Sequence, residues 1–326
     1  MPCTLYPHSS PRHPRQQPTH RCTPNIMRHI TNEDIIQLGI SPAECVYWVK
    51  EAFCLKYDAQ LPPKISLHPQ GNDFFNTMPC LLPPKYDRFG VKIVSRIAGN
   101  KPSLHSDLLL YQASTGEMLS FMDADWITQM RTGAVAALAI QTLQSSTAST
   151  YAFVGLGSTA IATMQCLLAI LPTDKPITCK LLRYKQQAEQ FTQLFAAHTQ
   201  VHFEIVDSHE ELIQDSDVIV SAVTEMPSLF CENNELYKEG VLLVPIHTRG
   251  FQNCDLFFDH IFADDTAHVS GFKYFNQFKK FNELSEVLLH QIPARLSDKE
   301  RIIAYNIGLG LHDIYFAHHI YERLTR

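Results

Sequence analysis

Two glycines, Gly155 and Gly157, follow a short run of aromatic and β-branched residues and precede a stretch of small apolar residues. The first glycine permits a tight turn, and the second lets the backbone approach an anion closely. Ala160 stands where a third glycine is usual and is small enough for a helix to pack closely on a strand. The free N–H groups of a helix that begins at Ser158 and Thr159 would face the anion, so the spacing predicts a dinucleotide-binding turn.

The end of the next predicted strand, at residues 177–184, bears on which dinucleotide would bind. An acidic residue there would bond the ribose hydroxyls of NAD, but this strand ends in Arg183 and Lys185. A cationic pair suits a 2′-phosphate, so NADP is favoured over NAD as the cofactor. Ser221 and Thr224, at the end of a further strand, are expected to line the nicotinamide crevice.

Three cations lie in segments that should be buried. Lys64 follows two prolines at the start of a predicted strand, Lys92 lies inside the apolar strand GVKIVSRI, and Arg131 lies on a mostly apolar helix. A buried charge is costly unless an anion meets it. Each cation could pair with an acid of the same domain, but the three together predict a pocket for the carboxylate of an amino or imino acid.

The elements that must position these residues form two kinds of sheet. The first part of the chain has turns but no helices between its strand-like runs, which predicts an antiparallel or mixed sheet. These runs lie at residues 64–68, 73–79, 89–97 and 104–111. The alternation of strands and helices after residue 150 predicts a parallel sheet, and an apolar helix at residues 125–144 is expected to bridge the two.

The C-terminal stretch, residues 299–324, has helical periodicity and contains a second G-x-G spacing at Gly308 and Gly310. Because no strand is predicted before these glycines, close helix packing is the preferred interpretation over phosphate binding. At the other end, residues 1–26 cannot bury enough apolar surface to offset the entropy of ordering and are expected to be disordered. Met27 is an alternative first residue of the protein chain.

Composition excludes several classes of function. The 326-residue chain has a net charge of −6 and no Lys/Arg cluster along one face, which argues against nucleic acid or an acidic membrane as a partner. Its nine cysteines show neither C-x-x-C motifs nor the spacing of metal ligands, so no metal site is predicted. Scattered, reduced thiols indicate a cytoplasmic protein.

The chain resembles the ornithine cyclodeaminase and mu-crystallin family from about residue 30 to residue 324. The stretches that carry the resemblance are VKIVSRIAGN, SLHSDLLLYQASTGEML, MRTGAVAALA, VGLGSTA and IGLGLHD. The resemblance implies an α/β protein with a Rossmann-type, doubly wound parallel sheet at residues 129–299. It further implies a mixed α+β domain for substrate binding and homodimerisation, formed by residues 27–128 and completed by the C-terminal helix within residues 300–326.

The resemblance also assigns roles to the cations. Lys92 and Arg131 match the contacts of the family to the substrate carboxylate, with Ser103 where a threonine is usual. Lys64 stands where many members have an arginine, which keeps the charge but loses the bidentate fork.

One departure from the family pattern concerns proton transfer. Cyclodeaminases carry an aspartate in the loop where this chain has Arg249, and arginine cannot serve as a general base at neutral pH. The departure argues against ornithine cyclisation and leaves a reductase role open. Arg249 could instead bind a second carboxylate or the cofactor. His247 and His105 are candidate proton donors, with a hydrogen-bonded structural role as the alternative for each.

Together these features predict an NAD(P)-dependent oxidoreductase that acts on the C–N bond of a small amino or imino acid, as a ketimine reductase or an amino-acid dehydrogenase. Lys92 and Arg131 would fix the carboxylate, and a lysine or histidine such as Lys92 or His247 would supply the proton. One alternative is a cyclodeaminase-like lyase that releases ammonia and recycles its cofactor. Another is a crystallin-like binding protein without catalysis.

Overall fold

The computed structural model describes residues 27–223 and 226–326. The tail expected to be disordered, residues 1–26, therefore lies outside the described residues, and so does Thr224. The described residues form two β-sheets with helices packed between and around them. One apolar cluster includes Leu108 of the first sheet and Phe153 of the second, so the two sheets share a core.

The first sheet is mixed and has six strands. They are β1 (Arg28–Ile30), β2 (Ile65–Leu67), β3 (Phe74–Leu81), β4 (Arg88–Arg96), β5 (Leu104–Gln112) and β6 (Met118–Asp123). Their order is β1-β6-β5-β4-β3-β2, with β1 parallel to β6 and the other neighbours antiparallel. The four strands expected from the sequence are confirmed, and the sequence reading missed β1 and β6.

The second sheet has eight strands, all parallel. They are β7 (Thr150–Val154), β8 (Ile177–Leu182), β9 (Val201–Val206), β10 (Val218–Ser221), β11 (Leu242–Pro245), β12 (His260–Ala263), β13 (Phe281–Glu283) and β14 (Ile302–Tyr305). Their order is β13-β12-β14-β11-β10-β7-β8-β9. From β7 the chain moves outward to β8 and β9 and then returns to β10 on the other side of β7. Ligands of such sheets bind at the carboxyl ends of the strands beside this reversal.

The residues of β7 show why it is a central strand. Tyr151 and Phe153 enter one apolar cluster, whereas Ala152 and Val154 enter the other. A strand whose alternate side chains are all apolar needs cover on both faces, as in a doubly wound sheet. The predicted fold class is confirmed.

Ten α-helices occupy the described residues, and none of them is long and apolar enough to cross a membrane. They are α1 (Asn32–Gln37), α2 (Pro42–Cys54), α3 (Asp125–Leu143), α4 (Ser158–Ile170), α5 (Gln187–Leu194), α6 (His209–Ile213), α7 (Cys254–Phe257), α8 (Thr266–Val269), α9 (Leu284–Leu288) and α10 (Gly310–Thr325). Helix α3 contacts β5 of the first sheet and β11 of the second, which confirms it as a bridge.

The C-terminal stretch departs from the expected continuous helix. Residues 302–305 form β14, between β11 and β12 of the parallel sheet, and only α10 is helical. Four buried apolar residues in a row are compatible with either a strand or a helix, and tertiary packing decides between them. The expectation that no strand precedes Gly308 is therefore wrong. Close packing at the glycines is nevertheless observed, because a Cβ on Gly310 would lie 3.0 Å from the Met78 carbonyl oxygen.

Helix α10 lies against β3, β4 and β5 of the mixed sheet, while β14 belongs to the parallel sheet. The segment 300–326 thus contributes to both sheets. The limits given for the two domains, residues 27–128 with 300–326 and residues 129–299, stay a prediction.

Candidate active site

The turn between β7 and α4 has the geometry of an anion-binding site. Gly155 has φ +78°, and a Cβ there would lie 2.6 Å from the carbonyl carbon of Ala222. Gly157 is the N-cap of α4 and provides no side-chain cap, while a Cβ on it would meet open space. Ala160 is fully buried. The N–H groups at the start of α4, from Ser158 onward, thus border an open space that suits the pyrophosphate of a dinucleotide.

A cavity of about 390 Å³ lies between the two sheets, next to this turn. Thr159 of α4 lines it together with Lys64, Arg131, His247 and Arg249. The structure therefore brings together four residues predicted to serve substrate or catalysis and one predicted to serve the cofactor. Such a concave site with several convergent polar groups is the usual form of a small-molecule pocket.

Behind the wall of this cavity is a buried ion cluster. The Lys92 ammonium lies 2.7 Å from Oδ1 of Asp313, and Nε of Arg131 lies 2.8 Å from the same oxygen. Burial lowers the pKa of Lys92 to about 7, with a further lowering by Arg131 that Asp313 only partly offsets. Lys92 can therefore both hold and release a proton near neutral pH.

Lys64 adds a third cation to the cluster. Burial lowers the pKa of its ammonium, Asp264 raises it, and Arg131 lowers it further. Asp264 also accepts the N–H groups of Ile307 and Gly308 at Oδ2, and its Oδ1 lies 3.3 Å from a ring nitrogen of His268. Three cations facing two carboxylates leave one positive charge, which a substrate carboxylate would neutralise.

His247 is held in place by its neighbours. Its Nε2 lies 2.7 Å from Oγ of Ser221, and its Nδ1 accepts the backbone N–H of Arg249 at 3.3 Å. Burial and the charge of Arg249 lower the pKa of the ring to about 4, so the imidazole is neutral at pH 7. The structure argues against His247 as the proton donor, because the acidic imidazolium form is scarce.

The residues expected to select NADP lie at the end of β8, on the far side of β7 from β11. The exposed guanidinium of Arg183 donates from Nε to Asp207 at 2.7 Å and from Nη1 to Glu189 at 2.5 Å. Lys185 has φ +53° and lies over the ring of Tyr184. These two hydrogen bonds use Nε and Nη1 of Arg183 and do not involve its Nη2.

Two predicted substrate contacts lie away from the cavity. His105 and Lys92 lie on opposite faces of the mixed sheet, because Lys92 pairs with Leu108 and side chains alternate along β5. The His105 ring lies 3.1 Å from Asp125, which raises its pKa, and it is largely exposed. Ser103 precedes β5, where its carbonyl oxygen accepts the N–H of Ile97. Neither residue lines the cavity within this chain, and Thr224 is outside the described residues.

A model of the ornithine cyclodeaminase/mu-crystallin family matches residues 28–326. The chain belongs to this family. It is 26% identical over 274 residues to the nodulation efficiency protein NfeD of Rhizobium meliloti, covering 80% of this chain and 83% of that protein.

Two solved structures of similar proteins show the same fold. One is the Δ(1)-pyrroline-2-carboxylate reductase of Thermococcus litoralis in complex with NADH and L-proline, with a TM-score of 0.82, 20% identity, and coverage of 92% of this chain and 98% of that one. The other is an archaeal alanine dehydrogenase dimer with bound NAD. Its TM-score is 0.78 and its identity is 24%, with coverage of 92% of this chain and 96% of that one.

Compared with the pattern expected for the ornithine cyclodeaminase/mu-crystallin family, this site differs most in the loop after β11. The resemblance matches the cyclodeaminase aspartate to Arg249, whose side chain here is exposed and lines the cavity. A carboxylate there could accept a proton from a substrate amine, whereas a guanidinium cannot. The geometry therefore offers this family member cationic binding groups but no general base at that position.

Sequence reasoning assigned no role to two residues that the structure places at this family site. Asp313 lies within the stretch IGLGLHD and joins Lys92 to Arg131, and a cluster of buried cations was itself a signal for such an acid. Asn76 lines the cavity, and its buried Oδ1 has no hydrogen-bond partner in the described part of the chain. No sequence pattern distinguished Asn76, because a lone asparagine on a strand is common.

Proposed function

We propose that this chain is an NAD(P)-dependent oxidoreductase that acts on the C–N bond of a small amino or imino acid. The observation that carries the proposal is the shared cavity, which joins the end of the glycine turn at Thr159 to the cations Lys64 and Arg131. The T. litoralis reductase of the same fold, whose complex contains NADH and L-proline, supports it.

A nicotinamide cofactor bound here would supply or accept a hydride at C4 of its ring. The chain contributes binding, orientation and a proton. Lys64 and Arg131 bind the substrate carboxylate, and the buried Oδ1 of Asn76 accepts a hydrogen bond from the substrate nitrogen. The proposal puts the C=N carbon toward Thr159, the residue of the glycine turn that lines the cavity.

Lys92 is the proposed proton donor to the substrate nitrogen. It is fully buried behind the cavity wall, on the same face of the mixed sheet as Met78 and Val94, which line the cavity. With a pKa of about 7, its ammonium is acidic enough to give up a proton at neutral pH. Reduction of the C=N bond then adds a hydride to carbon and the Lys92 proton to nitrogen.

The preferred cofactor is NADP in this proposal. Nη2 of Arg183 and the ammonium of Lys185 stand at the end of β8, where the adenosine ribose of a dinucleotide lies in doubly wound folds. Binding of a 2′-phosphate by these two cations would compete with Asp207 and Glu189 for Arg183. We accordingly expect a higher kcat/KM with NADPH than with NADH.

A homodimer is the proposed assembly. The face of the mixed sheet turned away from the cavity exposes Ile65, Leu67, Phe75 and Ile93, which are 59%, 63%, 42% and 38% exposed. Clustered apolar side chains on one sheet face indicate a protein interface. Light scattering should give twice the mass of one chain, and a monomeric mass would contradict this.

The seven described cysteines carry free thiols, which suits the proposed cytoplasmic location.

The proposed activity is tested by mixing the enzyme with NADPH or NADH and a panel of cyclic and open-chain 2-imino acids. The expected result is substrate-dependent loss of absorbance at the nicotinamide band, faster with NADPH. Ammonia release from ornithine without net change in that band would indicate the lyase alternative. Binding of cofactor and amino acid with no turnover in either direction would indicate the non-catalytic alternative.

A further inference from the structure

The cavity wall carries more cations than one substrate carboxylate accounts for. Lys64, Lys92 and Arg131 face Asp313 and Asp264, so a single carboxylate brings that inner cluster to neutrality. Arg249 and Arg96 lie outside this balance, and Arg96 already has an interaction partner of its own. None of the described residues that line the cavity is an aspartate or a glutamate.

Arg249 lies on the substrate side of the parallel sheet. It follows β11, which is separated from β7 by β10, whereas the adenosine side of the crevice is at β8, beyond β7. With about 5 Å between neighbouring strands, the end of β11 is about 10 Å from the glycine turn. Arg249 therefore lines the same cavity as Lys64 from a strand two positions away from the strand that precedes the glycine turn.

The loop that carries Arg249 is held in a defined conformation. His247 binds Ser221 and accepts the backbone N–H of Arg249, and Gly250 adopts φ +91° against the side chain of Met226. The Arg249 guanidinium itself makes no hydrogen bond or ion pair with any residue in the described part of the chain. A guanidinium that lines a cavity from a fixed backbone, with its hydrogen-bond donors unused by described residues, is suited to bind an anionic group of a ligand.

We infer that the substrate is a dicarboxylic 2-imino acid, with Arg249 as the residue that selects its distal carboxylate. The inference rests on the proposed reductase function and specifies the substrate of that same site. Lys64 and Arg131 hold the carboxylate next to the C=N carbon, and Arg249, on another part of the cavity wall, holds the second one. Reduction with NAD(P)H adds a hydride to C2 and a proton to nitrogen, and the product is a dicarboxylic amino acid.

The test compares two keto acids of equal chain length, 2-oxoglutarate and 2-oxovalerate, each with ammonium to form the imine in solution. Wild-type enzyme should favour the imine of 2-oxoglutarate in kcat/KM by about 10- to 100-fold, the range expected for one charge-assisted interaction. Arg249→Gln should remove most of this preference by raising KM for the diacid, with the monoacid unaffected. Lys299→Gln, which removes an exposed cation paired with Glu239, is the matched control and should leave the preference intact.

Three outcomes overturn the inference and differ from one another. Equal turnover of both imines by wild type and Arg249→Gln would refute the diacid preference while leaving the reductase function in place. A change confined to KM for NADPH or NADH in Arg249→Gln would assign Arg249 to the cofactor instead. No cofactor oxidation with either imine, nor with any other imino acid of the panel, would refute the reductase function and this inference with it.

Discussion

Replacing Lys92 with methionine is expected to lower kcat/KM for imine reduction by about 10²- to 10⁴-fold, the usual contribution of a positioned proton donor. Methionine fills a similar volume but has no proton to give. The remaining cation at Asp313 is Arg131, 2.8 Å away, so the buried carboxylate keeps a partner and the fold should persist. Steady-state kinetics would measure the loss, and a titration of cofactor fluorescence would show that dinucleotide binding is retained.

Lys56→Met provides a matched control for that substitution. Lys56 is also a buried lysine in an ion cluster, 2.6 Å from Glu283 and 2.9 Å from Asp265, but it is separate from the cluster of Lys92, Asp313 and Arg131 behind the cavity wall. Its replacement should lower the thermal stability and leave kcat/KM of the folded enzyme unchanged. If Lys92→Met retained wild-type turnover, Lys92 would not be the proton donor.

Asp313→Asn is expected to move the pH dependence of reduction toward acid and to destabilise the fold. Asp313 raises the pKa of Lys92, whereas burial and Arg131 lower it to about 7. Only protonated Lys92 can donate, so the reduction rate of wild type should fall as the pH rises through about 7. Without the negative charge the pKa of Lys92 drops further, and the fall in rate begins at a lower pH. Breaking a buried ion pair also costs about 3 to 5 kcal/mol of unfolding free energy.

Two measurements separate these effects of Asp313→Asn. Chemical denaturation gives the change in stability, and kcat as a function of pH gives the shift of the alkaline limb. A variant that is less stable but has an unshifted pH profile would show that Asp313 is only structural. Asp313→Glu, which restores the charge with one more methylene, should return much of the wild-type profile.

The glycine turn was predictable from the sequence because its chemistry is local. Tight turning at Gly155, anion approach at Gly157 and close packing at Ala160 all follow from side-chain size, and each is visible in neighbouring letters. The four strands of the mixed sheet were predictable for a similar reason, since their alternation and turn residues are local signals. Strand β1 has only three residues and is defined by its pairing with β6, which no local pattern encodes.

The arrangement of the site was harder to predict because it depends on register and burial. Lys92 and His105 both lie on predicted strands, yet their distance from the cavity depends on which face each side chain takes in the pairing of β4 with β5. The pKa of His247 falls because the folded structure buries the ring beside Arg249. The same applies to β14, whose four apolar residues form a strand only because β11 and β12 provide backbone partners on both sides.

Net hydride transfer to the carbon of a C=N bond is the activity that defines the proposed function. Its most direct test supplies NADPH with deuterium at both C4 positions, together with the imine that gives the fastest cofactor oxidation, and analyses the product amino acid by mass spectrometry. We expect one deuterium at C2 of the product and one cofactor oxidised for each amino acid formed. Unlabelled product, or deamination of an amino acid with no net oxidation or reduction of the cofactor, would contradict it.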